Sequence, residues 1–125
     1  MNDRSQAEPA EAPSAGRSVV MLSGDLMFAS RVKAAAAHAG MDFQISGQLP
    51  ATDAASIRYV ILDLSTRSAL VADIAARCAD QCPQAQLIAY GPHVKVDKLD
   101  AARQAGVDTV MTNGQFDRAL PQLFA

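Results

Sequence analysis

The chain has 125 residues, of which 50% are hydrophobic and 19% are charged, and its formal net charge is −2. This length and composition indicate one globular domain with a single core. The small net charge argues against a strong attraction to nucleic acid or to membrane surfaces, and the apolar runs are too short to span a bilayer. The polar N-terminus lacks the apolar region of a signal peptide, so we expect a cytoplasmic protein.

The N-terminal segment, residues 1–17, differs in composition from the rest of the chain. It is rich in Ala, with two Pro and two Ser, and it contains both glutamates of the protein, Glu8 and Glu11. Such a segment cannot bury enough apolar surface to offset the entropy lost on ordering. We therefore predict a disordered arm over residues 1–17 and a folded domain over residues 18–125. Whether the arm is a tether or a docking peptide stays open.

Five short apolar segments are typical of β-strands, and the second alternates apolar with polar residues as a half-buried edge strand does. The predicted strands cover residues 19–22, 41–46, 59–65, 87–90 and 109–112. Segments with apolar residues at helical spacing lie between them and after the last strand. The predicted helices cover residues 26–39, 67–80, 98–105 and 117–124. Residues 50–57 are weakly patterned and fit either a short helix or a loop.

Local signals predict where these helices begin and end. Gly40 lies where a glycine commonly stops a helix. Asp97 and Asp117 are the expected N-caps of the last two helices, and the Asn113-Gly114 pair is a turn signal before the last one. Pro121 would then stand at about the fourth position of that helix, at the edge of what a helix tolerates.

The alternation of short strands with helices predicts a parallel sheet that is covered by helices on both faces. The fold class that fits is α/β, a flavodoxin-like doubly wound sheet of five parallel strands in the order 2-1-3-4-5. In such sheets, ligands bind at the carboxyl ends of the strands. Asp63 stands at that end of the most apolar strand, so it is a candidate site residue. The alternative is that Asp63 caps the turn or helix that follows.

Several kinds of site are excluded by what the sequence lacks. It contains no glycine-rich dinucleotide or triphosphate motif and no nucleophile elbow. Cys78 and Cys82 are four residues apart, but a zinc ion would need two more ligands, and His38 and His93 are far away in sequence. We expect reduced thiols, with Cys78 in the core and Cys82 exposed at a helix end before Pro83.

Three segments taken together resemble the receiver domain of bacterial response regulators. Residues 60–64 (VILDL) resemble the strand that carries the phospho-acceptor aspartate. Residues 101–108 (AARQAGVD) resemble the junction of helix 4 and strand 5, and Phe116-Asp117 resembles the start of the last helix. The resemblance covers nearly the whole chain after the N-terminal segment, and it implies the receiver fold and a role in two-component signal transduction.

The receiver mechanism depends on five features, of which this chain keeps the acceptor position at Asp63. In the family an acidic pair after strand 1 holds Mg²⁺, and a Thr or Ser after strand 4 and a Lys after strand 5 contact the phosphoryl oxygens. An aromatic residue on strand 5 changes rotamer with the Thr. The matching positions in this chain are Ser23 and Gly24, Gly91, Asn113 and Val110, with Gly114 in place of a proline. A register slip of one residue would place Asp25 beside Asp63 as a metal ligand.

The resemblance therefore implies a pseudo-receiver, a non-enzymatic interaction module that works without phosphorylation, cofactor or metal ion. The alternative is an atypical response regulator phosphorylated on Asp63 by a histidine kinase, with Mg²⁺ bound. A small-ligand binder of the same fold class is a third candidate. The expected partner is a protein, either a histidine kinase or an output protein. A weak homodimer is also expected through the helix 4, strand 5 and helix 5 face, where Leu120, Leu123 and Phe124 would leave apolar area uncovered.

Overall fold

The computed structural model describes residues 17–50 and 54–124, which form one five-stranded parallel sheet in the order β2-β1-β3-β4-β5. The strands are β1 (Ser18–Leu22), β2 (Asp42–Ser46), β3 (Ile57–Asp63), β4 (Gln86–Gly91) and β5 (Thr109–Thr112). The predicted fold class and strand order are confirmed. Most of the predicted arm lies outside the described residues. Arg17 is described, and its guanidinium donates to the carbonyl of Ala39 at 3.4 Å.

α-Helices follow β1, β3, β4 and β5. They are α1 (Leu26–His38), α2 (Leu64–Arg67), α3 (Val71–Gln81), α4 (Val96–Gln104) and α5 (Asn113–Leu123). Residues 54–56 form one turn of 3₁₀ helix in the weakly patterned segment, and residues 68–70 form another between α2 and α3. None of the helices in the described part of the chain is long and apolar enough to cross a membrane.

Alternate side chains of β3 enter two hydrophobic clusters, one on each face of the sheet. Ile61 belongs to the cluster that includes residues of α1 and α5. Val60 and Leu62 belong to the cluster that includes residues of α3 and α4. All three are fully buried. This burial on both faces explains why the strand reads as a continuous apolar run.

The last helix begins four residues earlier than predicted. Thr112 is its N-cap and accepts a hydrogen bond from the Gln115 backbone N–H at 3.2 Å, while Gln115 Oε1 accepts from the Thr112 N–H at 2.9 Å. This reciprocal capping box satisfies two N–H groups at the helix start. The Asn113-Gly114 pair therefore opens the helix instead of forming a turn. Asp117, expected as the cap, lies inside α5 and forms an ion pair with Arg31 of α1.

Because α5 begins at Asn113, Pro121 is its ninth residue and not its fourth. A proline has no N–H, so the carbonyl of Asp117 loses its usual partner four residues on. The prediction that Leu120, Leu123 and Phe124 leave apolar area uncovered is also wrong for two of these residues. Leu120 and Phe124 are buried, with 5% and 3% of their surface exposed, and they pack in the core cluster between the sheet and α1. Self-association through this face stays a prediction.

Three smaller expectations are also corrected. The N-cap of α4 is Lys95, and Asp97 lies in the first helical turn, where a carboxylate favours the positive end of the helix dipole. The central strand ends at Asp63, and a helix starts at once at Leu64 instead of at residue 67. Cys82 is fully buried in the core, although it was expected to be exposed.

The two cysteines are both free and buried at the end of α3. Burial, followed by the neighbouring Cys82, raises the pKa of the Cys78 thiol to about 12. Both residues belong to the hydrophobic cluster under α3 and α4. They therefore serve as small core side chains, as predicted for Cys78.

Candidate functional site

The parallel topology brings the predicted site residues to one end of the sheet, called here the carboxyl edge. Ser23 and Gly24 follow β1, Asp63 ends β3, Gly91 ends β4, and Asn113 follows β5. Strands β1, β3, β4 and β5 are consecutive neighbours in the sheet. The residues that the resemblance selected are therefore grouped as they are in a doubly wound sheet.

The Asp63 carboxylate is almost fully buried, with 1% of the residue exposed, and both of its oxygens accept hydrogen bonds. Oδ1 accepts from the Ser65 backbone N–H at 2.8 Å. Oδ2 accepts from the Ser23 hydroxyl at 2.8 Å and from the Thr66 hydroxyl at 2.8 Å. Three donors thus supply the hydrogen bonds that a buried carboxylate needs.

The two hydroxyls are themselves fixed by backbone groups. Ser23 Oγ accepts from the Asp25 N–H at 2.8 Å, and Thr66 Oγ1 accepts from the Gly24 N–H at 3.0 Å. Each hydroxyl therefore accepts one bond and donates its proton to Asp63. The result is a closed network that ties the segment after β1 to α2.

Asp63 takes this position because it is the N-cap of α2. Its backbone is extended while its side chain accepts from the N–H two residues on, which is the usual geometry of a capping aspartate. Thr66 lies three residues later on the first helical turn, so its hydroxyl reaches the same carboxylate. The geometry therefore agrees with the interpretation of Asp63 as a helix cap.

The space around Gly24 is occupied by α2. A Cβ added to Gly24 would lie 3.4 Å from Arg67 Nη1 and 3.6 Å from Thr66 Cβ. The next residue, Asp25, is the N-cap of α1, and its Oδ1 accepts from the Met27 N–H at 2.9 Å. The carboxylate that a register slip would assign to a metal ion is thus used to start a helix.

The positions that match the family's hydroxyl and lysine are also changed. A Cβ added to Gly91 would lie 3.1 Å from Leu64 Cβ, and Leu64 is fully buried. There is no room for a hydroxyl-bearing side chain unless Leu64 moves. Asn113 is the first residue of α5, and its Oδ1 is buried without a hydrogen-bond partner among the described residues. Asn113 supplies no charge.

Tyr90 is a site residue that the sequence analysis missed. It pairs with Asp63 across the β3–β4 ladder and is 1% exposed. Its ring stacks on Phe116 with centroids 4.3 Å apart and contacts Phe28 at 5.1 Å. Its hydroxyl has no well-formed hydrogen bond within the described residues.

Burial, followed by the negative charge of Asp63, raises the pKa of Tyr90, so a neutral phenol lies beside the carboxylate. The sequence alone contains no signal for Tyr90, because its pairing with Asp63 depends on the register of β3 and β4. The receiver pattern drew attention to Gly91, one residue further along the strand.

The donor set at this edge does not fit Mg²⁺. The ion takes about six oxygen ligands in near-ideal octahedral geometry. Asp25 and Asp63 already accept helix N–H groups, and the Arg67 guanidinium lies next to Gly24. Within residues 17–50 and 54–124, no group of three or more His, Cys, Asp or Glu side chains is arranged to hold a metal ion.

Comparisons with known proteins identify the fold. No protein-family model matches the chain, and no curated protein matches it. A solved structure of a putative pilus assembly protein (cpaE) from Burkholderia thailandensis is 16% identical, with a TM-score of 0.60, and the match covers 86% of this chain and 93% of that one. A response-regulator receiver domain from Rhodospirillum rubrum is 15% identical, with a TM-score of 0.59, and the match covers 86% and 90%. The chain therefore has the fold of a response-regulator receiver domain.

Proposed function

We propose that this chain is a receiver-like signalling module of the cytoplasm that binds a protein partner without being phosphorylated. The observation that supports this most strongly is the state of Asp63. Its carboxylate is 1% exposed, and three donors at 2.8 Å occupy its two oxygens. A phospho-acceptor needs an oxygen that can approach a phosphorus atom in line with the leaving group.

Freeing an oxygen of Asp63 requires a local rearrangement. Oδ2 is held by hydroxyls from two different segments, and Oδ1 is held by the first turn of α2. A hydrogen bond to a charged group contributes about 1.5–3 kcal/mol. Breaking two of them before any chemistry would slow the transfer by orders of magnitude.

A transferred phosphoryl group would also lack the charges that stabilise it in receivers. A metal ion and a lysine neutralise the developing charge in that mechanism. The matching positions here are Ser23, Gly24 and Asn113, which are all uncharged. Asn113 can donate a hydrogen bond, but it cannot replace an ammonium group.

One observation favours the alternative, an atypical response regulator phosphorylated on Asp63. The Arg67 guanidinium lies at the place toward which a Gly24 side chain would point. A guanidinium is a good partner for phosphate oxygens. It would supply one positive charge without a metal ion, so this alternative would not need Mg²⁺.

Phosphoryl transfer from acetyl phosphate tests the two proposals directly. The chain is incubated with acetyl phosphate, once with Mg²⁺ and once with a chelator, and its intact mass is measured. We expect no added phosphoryl group in either case, while a receiver domain treated in parallel gains one with Mg²⁺. A gain that is absent in Asp63→Asn would contradict the proposal, and a gain that survives chelation would identify the Arg67-assisted alternative.

The proposed partner is a protein, either a histidine kinase or an output protein, and we propose no enzymatic activity. The structural neighbours support an interaction role, because one is named for pilus assembly and the other for response regulation. The carboxyl edge has few polar groups that are free to react, so we expect the domain to act by presenting a binding surface to a protein partner. We propose no cofactor for it.

A further inference from the structure

A pocket opens at the end of the sheet opposite to Asp63, where the strands begin. We call it the amino-edge pocket. Its volume is about 350 Å³, and its lining includes Arg17, Arg58, Tyr59, Gln84, Gln86 and Phe124. That volume lies within the range of ordinary ligand pockets. Nothing in the receiver resemblance assigns a role to this end of the domain.

Two arginines of the pocket have no carboxylate partner among the described residues. Arg58 Nη1 donates to the carbonyl of Ala55 at 2.9 Å, and Arg17 Nη2 donates to the carbonyl of Ala39 at 3.4 Å. Each guanidinium carries five N–H donors, so most of them remain available. The ion pairs of the described chain use other arginines, namely Arg31, Arg77 and Arg103.

The two glutamines of the pocket supply acceptors. Gln84 Nε2 donates to the carbonyls of Ala54 at 2.8 Å and Ile57 at 3.1 Å. Gln86 Nε2 donates to Thr109 Oγ1 at 3.1 Å. The two carbonyl partners of Gln84 fix which end of its amide is the donor, and the Gln86 amide is oriented with Nε2 toward the Thr109 hydroxyl. These bonds leave both Oε1 atoms as acceptors without a donor in the described part of the chain.

An aromatic pair gives the pocket an apolar side. Tyr59 and Phe124 meet edge to face with ring centroids 4.9 Å apart. Phe124 is 3% exposed, and Met41, which also lines the pocket, is 8% exposed. These side chains are held in place by the core, so the apolar surface is preformed. A preformed surface reduces the entropy lost when a ligand binds.

We propose that the amino-edge pocket binds an acidic peptide segment of a partner protein. Arg17 and Arg58 bind a glutamate or aspartate side chain of that segment, because a guanidinium fork matches a carboxylate. Gln84 and Gln86 accept from its backbone N–H groups, which an inorganic anion does not have. An adjacent apolar side chain of the segment packs on the half-buried Tyr59 ring, which Phe124 supports from the core. This proposal does not rest on the state of Asp63.

A titration of the full chain by amide NMR tests it with a defined probe. The probe is acetyl-Ala-Glu-Leu-Glu-Ala-amide, and its control has Gln in place of both Glu residues. We expect saturable shifts at Tyr59 and at the side-chain amides of Gln84 and Gln86, with no shifts at Asp63. Binding should weaken as salt is added, because screening reduces attraction between exposed charges. Equal binding of the Gln control would overturn the proposal, as would the absence of saturable shifts.

Charge-removing variants locate the contact. Arg17→Gln and Arg58→Gln should each weaken binding of the acidic probe about tenfold, whereas Arg77→Gln, on the exposed side of α3, should leave it unchanged. If Arg58→Gln fails to fold, Arg17→Gln alone decides, because its side chain is exposed. Equal loss of binding in the Arg77→Gln variant would contradict the assignment.

The chain's own glutamates, Glu8 and Glu11, are the remaining alternative to a partner peptide as the occupant of the amino-edge pocket. A variant that combines Glu8→Gln with Glu11→Gln should bind the acidic probe as the natural chain does. If the probe binds only when these two charges are removed, the occupant is the chain's own N-terminal segment, and the proposal of a partner peptide is wrong.

Discussion

The two ends of the sheet use their polar groups in opposite ways. At the carboxyl edge the Asp63 carboxylate accepts three hydrogen bonds, and the two hydroxyls that contact it are fixed by backbone N–H groups. At the amino edge Arg17 and Arg58 face a pocket without a carboxylate partner in the described residues. At the end where a doubly wound sheet normally binds ligands, both oxygens of the carboxylate are hydrogen-bonded, and the arginines without a described carboxylate partner lie at the other end.

The cause of this difference lies in where helices begin. At the carboxyl edge, α2 starts directly after Asp63 and places Leu64 and Thr66 against the neighbouring strand ends. At the amino edge, Arg17 directly precedes β1, Arg58 is the second residue of β3, and the last helix ends at Leu123. The capping of α1 and α2 uses the carboxylates of Asp25 and Asp63, whereas no carboxylate of the described residues pairs with the two guanidinium groups.

Both edges depend on the central strand, so the largest expected effect is the loss of its core packing. Leu62→Ala should lower the free energy of unfolding by about 2–5 kcal/mol, because it removes buried apolar surface and leaves a cavity. Leu26→Ala is the matched control, since Leu26 is 72% exposed and should change stability by under about 0.5 kcal/mol. Denaturant unfolding measures both. Similar costs for the two variants would contradict the central placement of β3.

Removal of the buried carboxylate tests whether the carboxyl edge is a structural network. Asp63→Ala should lower the free energy of unfolding by about 2–4 kcal/mol, because it removes a helix cap and leaves the buried Ser23 hydroxyl without its acceptor. Asp73→Ala, in an exposed pair with Arg77, should cost about 0.5 kcal/mol or less. In a site crowded with carboxylates, removing one would relieve repulsion. A gain in stability for Asp63→Ala would therefore refute the network.

Restoring a hydroxyl side chain at Gly91 tests whether the edge has room for one. Gly91→Thr should cost about 1–3 kcal/mol, because a Cβ there would already lie 3.1 Å from Leu64 Cβ. Adding Leu64→Gly, which removes the Leu64 Cβ, should recover part of that cost, and a double-mutant cycle would detect this as coupling. Additive effects of the two changes would show that Leu64 does not fill the space.

The smallest expected effect separates the side-chain donors of the network from its backbone donor. Ser23→Ala removes a hydroxyl that donates to Asp63 and should cost about 1 kcal/mol. Ser65→Ala keeps the backbone N–H that donates to Asp63, and the Ser65 side chain is exposed, so it should be nearly neutral. Thermal unfolding of the two variants side by side makes the comparison. A larger cost for Ser65→Ala would mean that the hydroxyl assignment is wrong.

The sequence predicted the fold well because parallel α/β sheets have strong local signals. Buried strands appear as continuous apolar runs, and Gly40, with φ of +76°, has the conformation expected of a glycine that ends a helix. The sequence was less informative about helix starts. At the last helix, Asp117 was the only cap predicted, and the helix starts instead at the capping box of Thr112 with Gln115, which satisfies two N–H groups.

The position of the candidate site could be predicted from the sequence, but the hydrogen bonds that occupy it could not. The receiver pattern selected Asp63, Ser23 and Gly91, and the parallel topology placed all three at one edge. The hydrogen bonds that close the site depend on α2. The spacing of apolar residues in the sequence did not indicate that this helix starts directly at Leu64. Tyr90 was missed because its neighbour relation to Asp63 is set by strand register, which a single sequence does not display.

The most direct test of the closed carboxyl edge is a titration with beryllofluoride and Mg²⁺, followed by amide NMR. Beryllofluoride mimics a phosphoryl group on an aspartate, and it needs the same free carboxylate oxygen and counter-charges. We predict no saturable shifts at millimolar ligand, because both oxygens of Asp63 are already hydrogen-bonded. In addition, the positions that are charged in receivers are occupied here by the uncharged residues Ser23, Gly24 and Asn113. Saturable shifts around Asp63, Gly91 and Asn113 that disappear in Asp63→Asn would contradict the account and establish a working phospho-acceptor.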